Sequence, residues 1–397
     1  MRDVDVCTMK KLLFVFPSFE IGGTTVSTLN LISLLDKERY EATVMPLQDK
    51  GLLKEQFKCI PQLCPSLFIQ SLHANSWREM PGLGKKAFAM VIRFLARQSA
   101  IKKAFIKIGW SNSLKGKEVD TIIACQENVA TSFVAEAPVE DKLAWVRCDY
   151  ARIANRQSND RELYHRFRSI VCVSEGTFSS FIKIFPEYVS KTVCIPNPQN
   201  AAYIKSQGEM KENEPLFLTD RITLVSVGRL DPVKRFDQIA LIASRLRERG
   251  LQFRWFIIGD GVERNTIRES IKTHLVEDVV VMLGAKTNPH YYIKHADLYV
   301  CLSVSEACPR VVNEAKILGT PTVSTNFPTI FEFVENGQTG IIAPLSGVPD
   351  AIMEYYTDEG LRKRIKDNIG RFEFDNTDLM RKIETIFQSP KNNLPKH

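Results

Sequence analysis

Apolar residues in this chain gather into short unbroken runs, and between the runs they recur every three or four positions. The runs LLFVF (12–16), Tyr40–Met45, Thr121–Cys125, Leu143–Arg147, Ser169–Val173 and Thr192–Ile195 read as strands covered on both faces, because a strand open to water on one side would alternate. Between the first two lies PSFEIGG, then a helical stretch in which Val26, Leu29 and the cluster from Leu31 to Leu35 supply the buried face. The chain therefore opens as strand, glycine loop, helix, strand. A second series starts at ITLVSV (222–227) and continues through a helix to about Arg249, closed by Gly250. FRWFII (253–258), VVVML (279–283), DLYVCL (297–302) and TPTVS (320–324) follow. Strands alternating with helices at this spacing form parallel sheets, so the expected fold class is α/β with two Rossmann-like domains facing across a cleft.

The break between the series falls at IPNPQN, from Ile195, where two prolines surround an asparagine, and in the polar run from Lys205 to Glu214. Expected domains are 1–197 and 198–372, with 373–397 a C-terminal segment able to return to the first. A length of 397 residues favours two cores over one. With 44% hydrophobic and 25% charged residues, neither disorder nor a fibrous repeat fits.

Nine cysteines, with no CxxC pair and several inside strand runs, have the pattern of reduced, buried thiols in a cytosol. Leu12–Phe16 is too short for a signal-peptide core, and no run approaches the 18 apolar residues of a spanning helix. The expectation is a cytoplasmic protein, soluble or peripheral on the inner membrane face.

Charge adds one local feature to a net +7: nine basic residues and no acidic one from Met80 to Lys117. Phe88, Val91, Ile92, Leu95, Ile101, Phe105 and Ile108 run among them near helical period, with Trp77 and Trp110 at the flanks. This is a basic amphipathic helix pair inserted over 80–117. Its apolar face either meets a membrane surface or packs on the core with a solvated basic face. No recognition motif accompanies the charge, so nucleic acid is not an expected partner.

Three stretches of the second half lie just beyond strand ends, where open α/β sheets take ligands. GRLDPVKRFD puts Arg229 and Lys234 in one loop leading into a helix, a seat suited to a diphosphate, although two cations in a loop are unremarkable alone. IIGDG (257–261) lacks the last glycine of a dinucleotide fingerprint, since Arg264 occupies that place. Its glycines are expected to let the turn pass close to a ligand or a helix. In SEACPRVVNEAKILGTPTVSTNF, Glu306 and Glu314 are separated by seven residues around Pro309. A helix starting near Pro309 leaves Glu306 in the loop and Glu314 in the early turns, so both can approach one ligand. A carboxylate can accept hydrogen bonds from two hydroxyls of a sugar diol.

Over 222–344 the order of the GR(x4)K loop, IIGDG, LGAKT, ADLYVCLSVSEACPRVVNEA, GTPTVSTNF and ENGQTG resembles the E-x7-E glycosyltransferases, family 4 of the retaining GT-B enzymes, including those of bacterial surface polysaccharides. The resemblance implies that Glu314 holds the ribose of a nucleotide-sugar donor and Glu306 contacts the transferred sugar. It implies that Arg229 and Lys234 bind the diphosphate, and that Ala307, Cys308, Pro309, Arg310, Val311 and Val312 line the donor site. Gly284, Ala285 and Lys286 would edge the base. In the first half Gly22-Gly23, VSEGT (173–177) and IPNP (195–198) are similar to family motifs, the glycine pair meeting the donor phosphate across the cleft. Many members carry a histidine near the strand ends of that domain. Here Gln126 and Glu127, or Arg147 and Asp149, stand in its place as acceptor-side candidates, and Arg147 with Asp149 can equally form a structural ion pair.

The implied reaction moves a hexose from a nucleoside-diphosphate sugar, UDP- or GDP-linked, to a hydroxyl with retention, and uses no separate cofactor. No metal site is expected: the six histidines form no ligand motif and the one Asp-x-Asp, Asp3 to Asp5, precedes the first strand. The basic segment points to a lipid-linked saccharide acceptor in cell-surface polysaccharide assembly. A non-catalytic scaffold at a membrane is the alternative. A dinucleotide-dependent oxidoreductase would need an intact glycine fingerprint, which neither half has.

Overall fold

Each apolar run becomes a parallel strand whose neighbours on both faces are helices. Residues 9–73, 80–210 and 221–389 are described in the computed structural model, with backbone only for 154–159. Asp3, Asp5, Cys7, Trp77 and positions 211–214 of the expected linker lie outside them. The chain divides into two compact units, Met1–Pro198 with Asn376–His397, and Gln199–Asp375.

The first unit runs β1 (Lys10–Ser18), α1 (Gly23–Leu34), β2 (Tyr40–Gln48), α2 (Leu67–His73), α3 (Leu83–Leu95), α4 (Ser99–Ser113), β3 (Thr121–Ala124), α5 (Val129–Ala135), β4 (Asp141–Val146), α6 (Gln157–His165), β5 (Ser169–Cys172), α7 (Glu175–Ile184) and β6 (Thr192–Cys194). Its strands pair in parallel in the order β2-β1-β3-β4-β5-β6. In register, Phe14 pairs with Val44 on one side and Ile123 on the other. All of Leu12–Phe16 is buried, which explains why the run shows no alternation.

Helix α1 differs from the expected pattern. Thr25, Ser27, Thr28, Asn30, Leu31 and Ile32 are buried, while Val26 and Leu29 are only half-buried. Small polar side chains can face the sheet here because their hydroxyls bond back to the chain: Thr25 Oγ1 donates to Ser18 O at 3.2 Å and Thr28 Oγ1 to Thr24 O at 2.9 Å.

The basic segment folds as α3 and α4. Helix α4 is anchored by Trp110, fully buried with Nε1 donating to Phe133 O at 2.7 Å. Phe68 of α2 meets the rings of Phe88 and Phe105 at 5.2 and 5.6 Å. Helix α3 buries only Ala89 and Ile92.

The second unit runs α8 (Ala201–Glu209), β7 (Ile222–Val227), α9 (Ile239–Glu248), β8 (Phe253–Ile258), α10 (Arg264–Thr273), β9 (Val280–Gly284), α11 (His290–Lys294), β10 (Leu298–Cys301), α12 (Arg310–Ile317), β11 (Thr322–Thr325), β12 (Gly340–Ala343), α13 (Val348–Thr357) and α14 (Glu359–Gly370). Its parallel strands are ordered β12-β11-β10-β7-β8-β9. Leu224, Trp255, Leu298 and Val323 form one core layer and Val225, Phe256, Tyr299 and Val312 the other.

The last helix, α15 (Thr377–Gln388), packs in the first unit. Phe387 is fully buried and its ring lies 5.8 Å from Tyr40 and 6.3 Å from both Phe14 and Trp145. Lys10 Nζ donates to Phe387 O, and Arg168 donates to Ile386 O at 2.9 Å. Two cations thereby hold carbonyls of the last turn, the favourable sign for that end of a helix. Among the described residues no helix is long and apolar enough to cross a membrane.

Candidate functional site

The strand order of the second sheet reverses between β7 and β10: the chain leaves β7 toward β8 and leaves β10 toward β11. The crevice beyond the carboxyl ends of two such strands is where an open α/β sheet takes a ligand. The loop after β7 carries Arg229 and, in a tight turn over Pro232–Lys234, Lys234. The loop after β10 carries Ser303 and Glu306. Lys234 Nζ donates to Glu306 Oε1, and Ser303 Oγ donates to the same oxygen at 2.7 Å. The side chains are 23% and 17% exposed. Burial alone would lower the Lys234 pKa, but Glu306, Cys301 and Asp231 outweigh it and hold the ammonium above its ordinary value.

These two loops are tied to each other and to their surroundings. Val304 N donates to Val233 O at 2.8 Å, Thr325 Oγ1 to Ser303 O at 2.6 Å and Thr329 Oγ1 to Glu306 O at 2.5 Å. Arg229 does not join the pair. Its side chain is 74% exposed and meets Asp231 at 2.6 Å.

Glu314 sits on α12 with its side chain 2% exposed. Arg310, one turn earlier, reaches it at 3.0 Å, and His290 Nε2 lies 3.6 Å away, an electrostatic contact too long for a hydrogen bond. Burial pushes the carboxyl pKa up, but Arg310 and then His290 bring it below the ordinary glutamate value. Glu314 Oε1 accepts no hydrogen bond. His290, at the start of α11, gives no signal in the sequence: it bears on the site through Glu314, 24 positions later, and belongs to no motif in its own stretch.

Pro309 caps α12, whose first residue is Arg310, and the Arg310 carbonyl accepts from Gln199 Nε2 at 3.2 Å. Ala307, Cys308 and Val311 are half-buried, whereas Val312 belongs to the core and can offer a ligand only its backbone. Gly284 ends β9 at φ 72°, Ala285 is exposed, and Lys286 Nζ stands 5.7 Å over the Tyr292 ring. The glycines of IIGDG pack closely against the neighbouring loop. A Cβ on Gly259 would lie 1.8 Å from Gly228 O, and one on Gly261 2.3 Å from Leu230 O, so they let the loop after β8 lie against the loop after β7.

In the first unit the strand order reverses between β1 and β3. Gly22 caps α1 and Gly23 opens it, with open space where either Cβ would stand. Gln126, just beyond β3, accepts a 3.0 Å hydrogen bond from Thr24 Oγ1. Glu127 is buried and accepts from Arg147 N at 2.8 Å. Arg147 and Asp149 do not form the ion pair considered above. Arg147 Nε donates to Cys125 O at 2.7 Å and Nη1 to Asn197 Oδ1, while Asp149 accepts from Ser180 Oγ at 2.5 Å and Ala151 N at 3.1 Å. Just beyond the end of β4, each side chain is taken up by a different partner. Among the described residues no three of His, Cys, Asp and Glu cluster as a metal-binding group.

Residues 208–371 match the family of glycosyl transferases group 1. The chain is 28% identical over 208 residues to an uncharacterized glycosyltransferase of Methanocaldococcus jannaschii, covering 50% of this chain and 48% of that one. It is 32% identical over 133 residues to the putative colanic acid biosynthesis glycosyltransferase WcaL of Escherichia coli, covering 31% and 32%. The chain thus spans about half or less of the length of the curated relatives it matches. Among solved structures, Anabaena HepE in complex with UDP and glucose superposes with a TM-score of 0.73 at 19% identity, over 96% of this chain and 100% of that one. Residues 208–371 are therefore a glycosyl transferases group 1 domain, and the chain that carries it has the GT-B fold.

Proposed function

We propose that this chain transfers a hexose from a UDP- or GDP-linked donor to a hydroxyl of a lipid-linked saccharide, with retention, in the assembly of a cell-surface polysaccharide. The observation that carries the donor half is the Lys234–Glu306 pair at the strand-order reversal, one α12 turn and a loop away from Glu314. In the reaction the bond from the sugar's C1 to the diphosphate oxygen breaks, the acceptor oxygen bonds C1, and the acceptor hydroxyl's proton passes to the departing diphosphate oxygen. Lys234 bears on the departing diphosphate, whose growing charge an ammonium offsets. Glu306, freed of Lys234, accepts hydroxyls of the transferred sugar.

Glu314 has an acceptor oxygen without a hydrogen bond, suited to a ribose hydroxyl. It is buried under Arg310, so the ribose reaches it only when Arg310 moves aside. Amides at the start of α12 add positive potential for phosphate. Arg229, exposed on the loop it shares with Lys234, exchanges Asp231 for phosphate. The base lies along Gly284–Lys286. Gln126 and Glu127 stand on the acceptor side, with Arg147 and Asp149 in support. The UDP and glucose of the Anabaena neighbour and the colanic acid relative are consistent with such a donor and product class.

Calorimetry with a panel of UDP- and GDP-sugars, followed by transfer assays, tests this reading. One donor is expected to bind and turn over, and Lys234→Ala is expected to cut turnover by about 10²–10³-fold while the fold persists. A chain that binds no nucleotide sugar, or a Lys234→Ala variant with full turnover, overturns it.

A further inference from the structure

Helix α3 has two apolar faces, and among the described residues only one is covered. At 3.6 residues per turn, Phe88, Ala89, Ile92 and Ala96 share one side, where Ala89 and Ile92 are buried. Leu83, Met90, Val91, Phe94 and Leu95 lie on the other side within an arc of about 140°. They are 87%, 48%, 51%, 62% and 42% exposed. Single exposed apolar residues are ordinary on any protein, but five on one face of a 13-residue helix form a contiguous patch, which marks an interaction surface.

The charge of the same segment selects the occupant. Lys86, Arg93 and Arg97 fall along one edge of the exposed arc, and the Arg97 guanidinium stands 5.0 Å over the Phe94 ring. Lys85 is exposed in the first turn, and Lys102 and Lys107 are exposed on α4. From Met80 to Lys117 nothing acidic offsets these cations. A second copy docking through the same face would place like charges against like, as the self-pairing of a two-fold interface requires. An anionic lipid surface suits both features. Apolar side chains settle at the boundary of headgroups and acyl chains, and Lys and Arg reach outward to phosphates.

We propose that α3 lies in the interface of an anionic bilayer through Leu83, Met90, Val91, Phe94 and Leu95, with Lys86 and Arg97 at the headgroups. This deepens the lipid-linked acceptor reading by naming the surface that meets the membrane, and rests on that reading only for its purpose. The full chain is floated with vesicles of phosphatidylcholine alone and of equimolar phosphatidylcholine and phosphatidylglycerol.

The wild type is expected to float with the anionic vesicles only, less so as salt rises. Val91→Ser/Phe94→Ser/Leu95→Ser is expected to lose at least about tenfold in partitioning, and Arg97→Glu to weaken the preference for phosphatidylglycerol. These exposed positions leave the packed face intact, and unchanged circular dichroism and donor calorimetry in both variants separate this inference from the transfer reading. A wild type that floats with neither vesicle, or a triple-serine variant that floats as the wild type does, overturns the proposal. So does a dimer in buffer that the triple substitution dissociates, which would assign the face to a second copy.

Discussion

Lys234 and Glu306 neutralise one another, and Glu314 is held beside Arg310 and His290. Charges buried in partnership cost far less than charges buried alone. Glu314 makes this measurable. Its pKa is below the ordinary value of 4.5, so the stability it supplies is complete above about 4.5 and is lost as pH falls through the lower folded-state value. Glu314→Gln is expected to flatten the acid limb of a stability-versus-pH curve by thermal melting and to weaken donor binding at neutral pH. An acid limb identical to the wild type's would count against the pairing. The candidate residues were legible from their spacing beside strand ends. Their contacts were not, because Lys234 and Glu306 are 72 positions apart and meet only through the strand order. His290 carried no local signal at all.

At the scale of elements, strands were legible because buried parallel strands are near-continuous apolar runs, as LLFVF is throughout and FRWFII is but for Arg254. Helix α1 was less so: hydroxyls that satisfy themselves on the backbone turn a polar-looking face into a buried one. The two loops flanking the β7–β8 pair show a further limit, since the closeness of Gly259 to Gly228 is a fact of pairing and not of local sequence. That closeness is testable. Gly259 has φ 147° and no room for a Cβ beside Gly228 O, so Gly259→Ala is expected to cost at least about 2 kcal/mol in denaturant unfolding. The loop bearing Lys234 starts at Gly228, so donor affinity is expected to fall as well. A variant as stable as the wild type would mean that the loops separate without cost.

At the scale of the molecule there are two cores, each with its own six-stranded sheet, and the first is completed by a helix that follows the second in sequence. Phe387 is the main plug of that helix. Phe387→Ala is expected to cost about 3–5 kcal/mol, visible by calorimetry as a lowered transition for the first unit with the second unit's transition in place. Equal lowering of both transitions would show that the helix supports the units jointly.

The same helix gives the protein a timetable. A ribosome adds about 5–20 residues per second, so all of Gln199–Asp375 must be made before the first unit receives its last helix, a wait of roughly 10–35 s by that rate. During it, Phe14, Tyr40 and Trp145 lack their cover while the second unit is free to fold. The nascent first half is therefore the stage at which a chaperone would have most to hold, and a ribosome stalled just after Asp375 would release a chain with one finished unit and one open one.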